Sequence, residues 1–470
     1  MSATATTEKK YLKWYQKLAY GSGDLASNCS YGLVSSFVLL YLTGTLGLDS
    51  AIIGSLMLAS KVLDGISDVI FGTLIDRTHS KLGKARPWML FGQVGVSLCL
   101  FLLFAIPAGS TTMQYIYFFI VYTALNAVFY TANGIAYSSL VALITKNNNE
   151  RVQLGSFRFM FAVVTNIFMG FAVTGMVEKF GSGAAGWRTT ALIFAIVGLV
   201  VNTISCLAVK ELPEEELSGN TSEAAEEGKA VAEEKKHGFA ETAKILVHNK
   251  YYLMILAIYI VYYIMSNLTT GAGVFCATYY WGDGSLLGQF SMMKMFPVII
   301  ALAIAPVLIK KTGSMQKVNF WGYAISSVLG IPMIYFAMQK NLSMFLLFMF
   351  IKGVFAGTLS GSLNALIAEA SGYTTRTTGV HMDGMMYSCS SLGVKVGGGI
   401  GTAAVGWLLK LGGFVGTATV QSESAIRMIF NLYITFPFVI GIIITVLLAF
   451  LDVEKANKKW DAEHKKEAQA

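Results

Sequence analysis

Two aspartates four residues apart, Asp64 and Asp68, interrupt a largely apolar stretch that ends near Asp76. A spacing of four places both carboxylates on one face of a helix. If Asp76 marks the membrane surface, Asp64 lies roughly 18 Å deeper, against a half-thickness of about 15 Å for the hydrocarbon core. An ionised group there costs on the order of 3 kcal/mol, so it normally faces a cavity. The pair, with Ser67 beside it, predicts a site for a monovalent cation.

Three further charges lie at similar depth in apolar stretches: Asp24, Arg158 and Lys395. Asp24 lies about ten residues, roughly 15 Å, into the first stretch. Three carboxylates and two cationic groups give a formal balance of minus one, which a bound cation or proton would relieve. Two alternatives remain open. A protonated, neutral aspartate would also bring the formal charge to zero, and a lysine could neutralise the Asp64 and Asp68 pair so that the group only holds two helices together.

Asp24 and Arg158 have side chains suited to a sugar, because a carboxylate accepts from two neighbouring hydroxyls while a guanidinium donates in a fixed fork. Asn133 offers a donor and an acceptor at similar depth, and Tyr137 one turn later offers an aromatic face. The alternatives are a helix-to-helix ion pair for Asp24 and Arg158 and simple packing for Tyr137.

A basic run follows the aspartate pair. Its small and charged residues can bond the carbonyl ends and acidic groups of neighbouring helices and so form a cytoplasmic gate; Gly72 among them would permit close helix approach. Positive charge that only sets topology is the alternative. The gate residues are Gly72, Asp76, Arg77, Gly83, Lys84 and Arg86.

Composition predicts an all-α integral membrane protein. Of the 470 residues, 54% are hydrophobic and only 13% are charged, whereas a soluble domain carries about 25% charged residues. About twelve apolar stretches have the length of a membrane span. They lie near 17–46, 50–76, 88–108, 113–144, 155–179, 186–210, 251–281, 287–309, 318–339, 343–371, 380–410 and 425–451.

Alternate loops hold Lys and Arg, and both termini are basic, which predicts cytoplasmic termini and the inner cell membrane as the location. The net charge of +8 follows from this bias, so nucleic acid is not expected as a partner. An acidic segment splits the chain. The predicted parts are a six-helix bundle over 1–210, a cytoplasmic linker with a possible amphipathic helix over 211–250, a second six-helix bundle over 251–451 and a cytoplasmic tail over 452–470.

A six-plus-six plan is that of the major facilitator fold, in which two halves rock about a mid-membrane site. Within this plan, the Asp-x-x-x-Asp pair, the Gly-x-x-x-Asp-Arg-Thr run and the Gly-Lys-x-Arg-Pro-Trp run resemble the signature of the glycoside-pentoside-hexuronide:cation symporters, the family of the melibiose permease. The stretches 23–26, 133–140, 153–158, 266–271 and 368–398 resemble its other motifs in order and spacing.

The resemblance implies that Asp24, Asn133, Tyr137 and Arg158 contact sugar, that Asp64 and Asp68 bind the cation, and that Lys395 lies where the two sites meet. This chain departs from the melibiose permease, which has Asp at the position of Asn133 and Trp at that of Ser360. The identity of the sugar and the choice between H⁺ and Na⁺ therefore stay open; Asp64 and Asp68 are metal ligands only if the ion is Na⁺.

The sequence thus predicts a monomeric, cation-coupled importer of a glycoside, pentoside or hexuronide that works by alternating access in the lipid bilayer. Beyond the coupling ion, no cofactor is expected. A carrier of an amphipathic lipid, steroid or drug-like molecule is the alternative, and a membrane sensor without transport is a third. The five histidines are scattered without a nucleophile partner, so no enzyme is predicted.

Overall fold

Long helices account for the regular structure of the described residues. The computed structural model describes residues 9–213, 216, 245–379, 383–418 and 420–467, and no strand occurs within these ranges. We number the helices α1 to α13 in chain order. They are Trp14–Thr45, Ser50–Asp76, Arg86–Leu103, Thr111–Ile144, Asn148–Lys179, Gly183–Leu207, Lys250–Trp281, Leu286–Thr312, Met315–Met338, Leu342–Thr378, 383–411, 423–450 and Val453–Glu467.

Eleven helices among the described residues are long and apolar enough to cross a membrane. The helix that carries Asp64 and Asp68, α2, adds a further 27-residue helix. The prediction of an all-α membrane fold is therefore confirmed. Most helix ends lie within five residues of the predicted span ends, but α5 begins at Asn148 rather than near 155 and α10 ends at Thr378 rather than near 371.

The chain divides into two compact units. The first contains α1 to α6 together with the short segments Gly284–Gly288 and Gly413–Gln421, and the second contains most of the remaining chain. The same packing recurs six helices later: α1 packs on α5 and α6 while α7 packs on α11 and α12, and α3 packs on α4 and α6 while α9 packs on α10 and α12. Each unit thus repeats one arrangement of helices.

A carboxylate closes the same helix end in each unit. In the first, Glu211 follows α6 and accepts the backbone N–H groups of Lys84, Ala85 and Arg86 at 2.7, 2.9 and 3.0 Å, where α3 begins. In the second, Glu454 follows α12 and accepts the N–H groups of Met315 and Gln316 at 2.8 and 3.1 Å, where α9 begins. Both carboxylates satisfy orphan donors and complement the helix dipole.

Five π-helical segments interrupt the helices of the described chain. They are Tyr41–Thr45, Ala124–Tyr130, Cys276–Trp281, Gly393–Gly397 and Asn431–Thr435. A π turn shifts the backbone register and frequently marks a functional position. Ala124–Tyr130 directly precedes residues of the candidate site, and Gly393–Gly397 contains Lys395.

Most of the predicted linker, including 217–244, lies outside the described residues. Of the predicted amphipathic helix, 245–248 form one helical turn whose Leu246 is buried with Tyr251 and Tyr252 of α7. In the predicted tail, Asp461 of α13 accepts from Arg376 Nε at 2.9 Å, which fastens α13 to the end of α10. The assignment of 1–210 and 251–451 as two six-helix bundles stays a prediction.

Candidate functional site

Asp24, Tyr137 and Arg158 lie together in the first unit. Arg158 Nε of α5 donates to Asp24 Oδ2 of α1 at 2.6 Å, and the two side chains are 25% and 18% exposed. The guanidinium carbon lies 4.2 Å from the centroid of the Tyr137 ring on α4. Both side chains are partly exposed, so the pair can offer a carboxylate and a guanidinium to a ligand's hydroxyls.

Local sequence explains this close assembly. A Cβ atom at Gly23 would lie 2.7 Å from the Tyr137 ring, so only glycine allows α1 to approach α4 here. Tyr137 Oη donates to Tyr20 O at 2.8 Å, and Tyr20 Oη donates in return to Tyr137 O. Two reciprocal bonds fix the ring on which Arg158 stacks.

Two amide side chains lie beyond Asp24 and extend the polar surface of the candidate site. Asn166 Nδ2 of α5 donates to Asn28 Oδ1 of α1 at 2.8 Å, one turn from Asp24. Both side chains are half-buried. The sequence reasoning assigned neither a role, although a spacing of four from Asp24 to Asn28 is a signal that places both on one helical face.

Asp64 lies buried against α4. Its Oδ1 lies 2.6 Å from Thr131 Oγ1, and its Oδ2 lies 3.6 Å from Lys61 Nζ one turn earlier. Lys61 Nζ also lies 5.7 Å from the centroid of the Tyr31 ring, which stacks on Tyr130. Sequence reasoning missed both Thr131 and Lys61. Lys61 could have been identified from the sequence, because it lies inside a predicted span and three residues before Asp64.

The Thr131 hydroxyl has two acceptors and one proton. Besides Asp64 Oδ1, Asn126 O in the π segment lies 2.9 Å from Thr131 Oγ1. The hydroxyl donates to Asp64 Oδ1, and Asn126 O is its alternative acceptor.

The other predicted cation ligands are placed differently. Ser67 Oγ donates to Asp64 O at 2.9 Å, so its hydroxyl proton is used within α2. Asp68 is half-buried one turn beyond Asp64. Lys395 is half-buried in the π segment of α11 in the second unit.

Asn133 lies between α4 and α3. It is 2% exposed, and its Nδ2 donates to Gln93 Oε1 at 2.7 Å. Asn133 Oδ1 and Gln93 Nε2 are buried and form no hydrogen bond with any described residue. In this conformation Asn133 is directed toward α3, and its contact with a sugar stays a prediction.

Three of the predicted gate residues, Gly83, Lys84 and Arg86, lie against Glu211. Gly83 has a φ of +109°, and a Cβ there would collide with the Glu211 carboxylate, so glycine is required. Arg86 Nε donates to Cys206 O at 3.2 Å, tying the start of α3 to the end of α6. Sequence reasoning missed Glu211 because it stands in a long acidic run.

Three gate residues lie apart from this cluster. Asp76 and Arg77 are exposed. A Cβ at Gly72 would meet no atom of the described structure within 4 Å. The expectation that Gly72 permits close helix approach stays a prediction.

We expect Glu211→Gln to lower the thermal stability of the purified protein. The carboxylate makes three charge-assisted bonds at a helix N-terminus, and caps of this kind contribute about 1 to 2 kcal/mol. Melting followed by intrinsic fluorescence measures the loss. Glu216→Gln is the control because Glu216 is 45% exposed and bonds only Lys9 among the described residues. Equal melting temperatures for the two variants would rule out the role of Glu211.

Two more lysines lie within the spans and were overlooked: Lys294 of α8 and Lys352 of α10. Together with Lys61, these lysines change the formal charge of the groups at membrane depth from minus one to plus two. The inference of a bound cation from charge balance is therefore wrong, and the cation site rests on the geometry of Asp64 instead.

A multi-helix membrane carrier of the major facilitator fold is the class that these features define. Solved structures agree: the chain superposes on a D-xylose-proton symporter with a TM-score of 0.63 at 12% identity, covering 94% of this chain and 98% of that one. A bacterial Spinster homologue gives a TM-score of 0.65 at 13% identity, covering 95% and 97%. At these identities the likeness shows the fold alone.

Residues 19–455 match the model of the MFS/sugar transport protein family. The chain belongs to this family, in its glycoside-pentoside-hexuronide:cation symporter branch, and is thus a transporter rather than an enzyme. It is similar to the isoprimeverose transporter of Lactiplantibacillus pentosus, with 26% identity over 97% of this chain and 92% of the relative. It is 24% identical to a putative glycoside/cation symporter of Escherichia coli, over 94% and 92%.

Proposed function

We propose that this protein is a secondary active transporter that imports a glycoside, pentoside or hexuronide together with a cation. The observation that carries the proposal is the half-buried Asp24 and Arg158 pair stacked on Tyr137. A carboxylate, a guanidinium fork and an aromatic face are what a sugar's hydroxyls and C–H surfaces require. The names of the relatives support the same substrate class, since they include a glycoside/cation symporter and a glucuronide carrier homologue.

The binding test is a ligand-induced shift of thermal unfolding on the purified protein, across a panel of glycosides, pentosides and uronides, with and without Na⁺. Stabilisation by at least one sugar supports the assignment. Stabilisation by lysolipids, steroids or drugs but by no sugar would favour the amphipathic-ligand carrier instead.

The proposed coupling ion is H⁺. Thr131 Oγ1 lies 2.6 Å from one Asp64 oxygen and Lys61 Nζ lies 3.6 Å from the other, so few ligand positions remain for a metal ion at this carboxylate. Na⁺ prefers several oxygen ligands, whereas a proton needs one carboxylate. Among the described residues, no group of three or more His, Cys, Asp or Glu is placed to hold a metal ion.

In Na⁺-free medium we therefore expect a protonophore to collapse sugar uptake, because the proton gradient would drive it. Addition of sugar to de-energised cells should alkalinise the medium. A sodium ionophore serves as the matched control and should leave uptake intact. Strict dependence on added Na⁺ at fixed pH, without alkalinisation, would reverse the choice and make Asp64 and Asp68 metal ligands.

The transport cycle we propose is alternating access by a monomer in the inner membrane, with both termini in the cytoplasm. The repeated helix packing of the two units supports it, since repeats of this kind allow one half to rock against the other. Basic loops after α2, α4, α8 and α10 support the orientation.

A further inference from the structure

The second unit contains a cavity of about 190 Å³ that two lysines line. Lys294 comes from α8 and Lys352 from α10. Among the described residues, no Asp or Glu lines this cavity. Its other polar groups are hydroxyls, which include those of Tyr262, Ser266, Thr269, Ser326, Ser327 and Ser360. The cavity therefore has two positive charges and a set of neutral donors.

Neither lysine is neutralised within the described structure. Lys294 Nζ donates to Thr269 Oγ1 and Thr270 Oγ1, each at 3.3 Å. Lys352 forms no hydrogen bond or ion pair with a described residue, and neither ammonium has a carboxylate within 4 Å there. Of the acidic residues of the spanning helices α7 to α12, Asp383 and Glu423 stand at helix starts, and Glu369 of α10 accepts from Asn457 Nδ2 of α13 at 2.8 Å.

Depth prevents both lysines from reaching water along their own helices. Lys294 lies eight residues after the start of α8 and Lys352 ten residues after the start of α10, which is roughly 12 and 15 Å along the axes. A charge near mid-membrane is costly unless it faces a cavity and meets a counter-charge. Within the described structure, these two lysines lack the counter-charge that such a depth calls for.

We propose that this cavity binds an anionic substituent, a carboxylate or sulfonate, of the transported molecule. The proposal rests on the proposed transport of a glycoside and narrows it to acidic glycosides. Lys352 and Lys294 each donate to an oxygen of the anion, while the Ser360 and Tyr262 hydroxyls, 2.7 Å apart, supply further hydrogen bonds. A volume of 190 Å³ is below the ~300–1,000 Å³ of ordinary ligand pockets. It therefore holds a substituent rather than a whole disaccharide.

The test compares three probes that differ at one carbon: methyl β-D-glucuronide, its 6-sulfonate analogue and neutral methyl β-D-glucoside. Calorimetry on the purified full-length protein measures their affinities. The wild type should bind at least one acidic probe more tightly than the glucoside, and the stronger of the two acids identifies the anion. Lys352→Met should weaken the acidic probe at least about tenfold, as loss of a charged hydrogen bond does, and leave the glucoside within about twofold.

Lys317→Met is the matched control, because Lys317 is an exposed lysine of the same unit. Lys294→Met and Lys352→Gln are second variants if Lys352→Met does not fold. Equal or tighter binding of the glucoside by the wild type would overturn the inference, as would an acid preference that survives in the Lys294 and Lys352 variants. A neutral glycoside that is still transported would in that case leave the proposed function standing.

Discussion

Asp64→Asn is expected to abolish uphill accumulation of sugar while it leaves downhill flux and exchange. The amide has nearly the volume of the carboxylate and can still meet Thr131, but it can neither take up a proton nor carry a charge. A membrane potential of 100 mV is worth about 2.3 kcal/mol per charge, or roughly fifty-fold accumulation with one coupled ion. The ratio of internal to external sugar in energised vesicles should therefore fall from tens to about one.

Asp68→Asn should uncouple transport in the same way if both carboxylates serve the cation. Glu178→Gln is the control, since Glu178 is an exposed carboxylate near the end of α5. Counterflow of labelled sugar in the absence of a gradient shows that each variant is still folded and able to bind. Full concentrative uptake by Asp64→Asn and Asp68→Asn would show that the coupling cation does not bind on this face of α2.

The second large effect is expected from Asp24→Ala. Removing the carboxylate deletes one sugar contact and leaves the Arg158 guanidinium, 25% exposed, without its 2.6 Å partner. Loss of a hydrogen bond to a charged group typically costs about 2 kcal/mol, and loss of the bond from the sugar to the carboxylate therefore corresponds to a loss of roughly thirtyfold in sugar affinity. Calorimetry with the best sugar of the binding panel measures the loss.

Ion binding by Asp24→Ala should change less than sugar binding, because Asp24 bonds Arg158 whereas Asp64 meets Thr131 and Lys61. Asp24→Asn removes the negative charge but keeps nearly the same side-chain shape, so comparing its sugar affinity with that of Asp24→Ala shows which of the two properties the sugar requires. If purified Asp24→Ala retains the sugar affinity of the wild type, the pair is a helix-to-helix ion pair and the sugar site lies elsewhere.

Sequence predicted the fold and part of the site because depth in a span and spacing along a helix are one-dimensional properties. Asp24 and Arg158 were found by depth, and hydropathy located every long helix. The sequence did not reveal which residues meet across helices. Thr131 contacts Asp64 and Asn133 contacts Gln93 because of the rotation of α4 about its own axis, and the π turn in α4 alters this rotation. Helical spacing fixes which residues share a face, but it does not fix the neighbour that this face meets.

Lys61, Lys294 and Lys352 were missed for a different reason. All three are visible in the sequence, and a census of every charge within the spans would have found them. Glu211 needed the structure, since its role depends on distance to α3 rather than on its acidic neighbours.

The carboxylates that follow α6 and α12 also constrain the order of assembly during synthesis. The start of α3 emerges from the ribosome more than a hundred residues before Glu211, and the start of α9 likewise precedes Glu454. Until the last helix of each unit has been inserted, these N-termini keep unpaired N–H groups that only water or lipid headgroups can satisfy. Each unit therefore completes its third helix last, and a chain truncated before residue 211 would contain six inserted helices but an unfinished bundle.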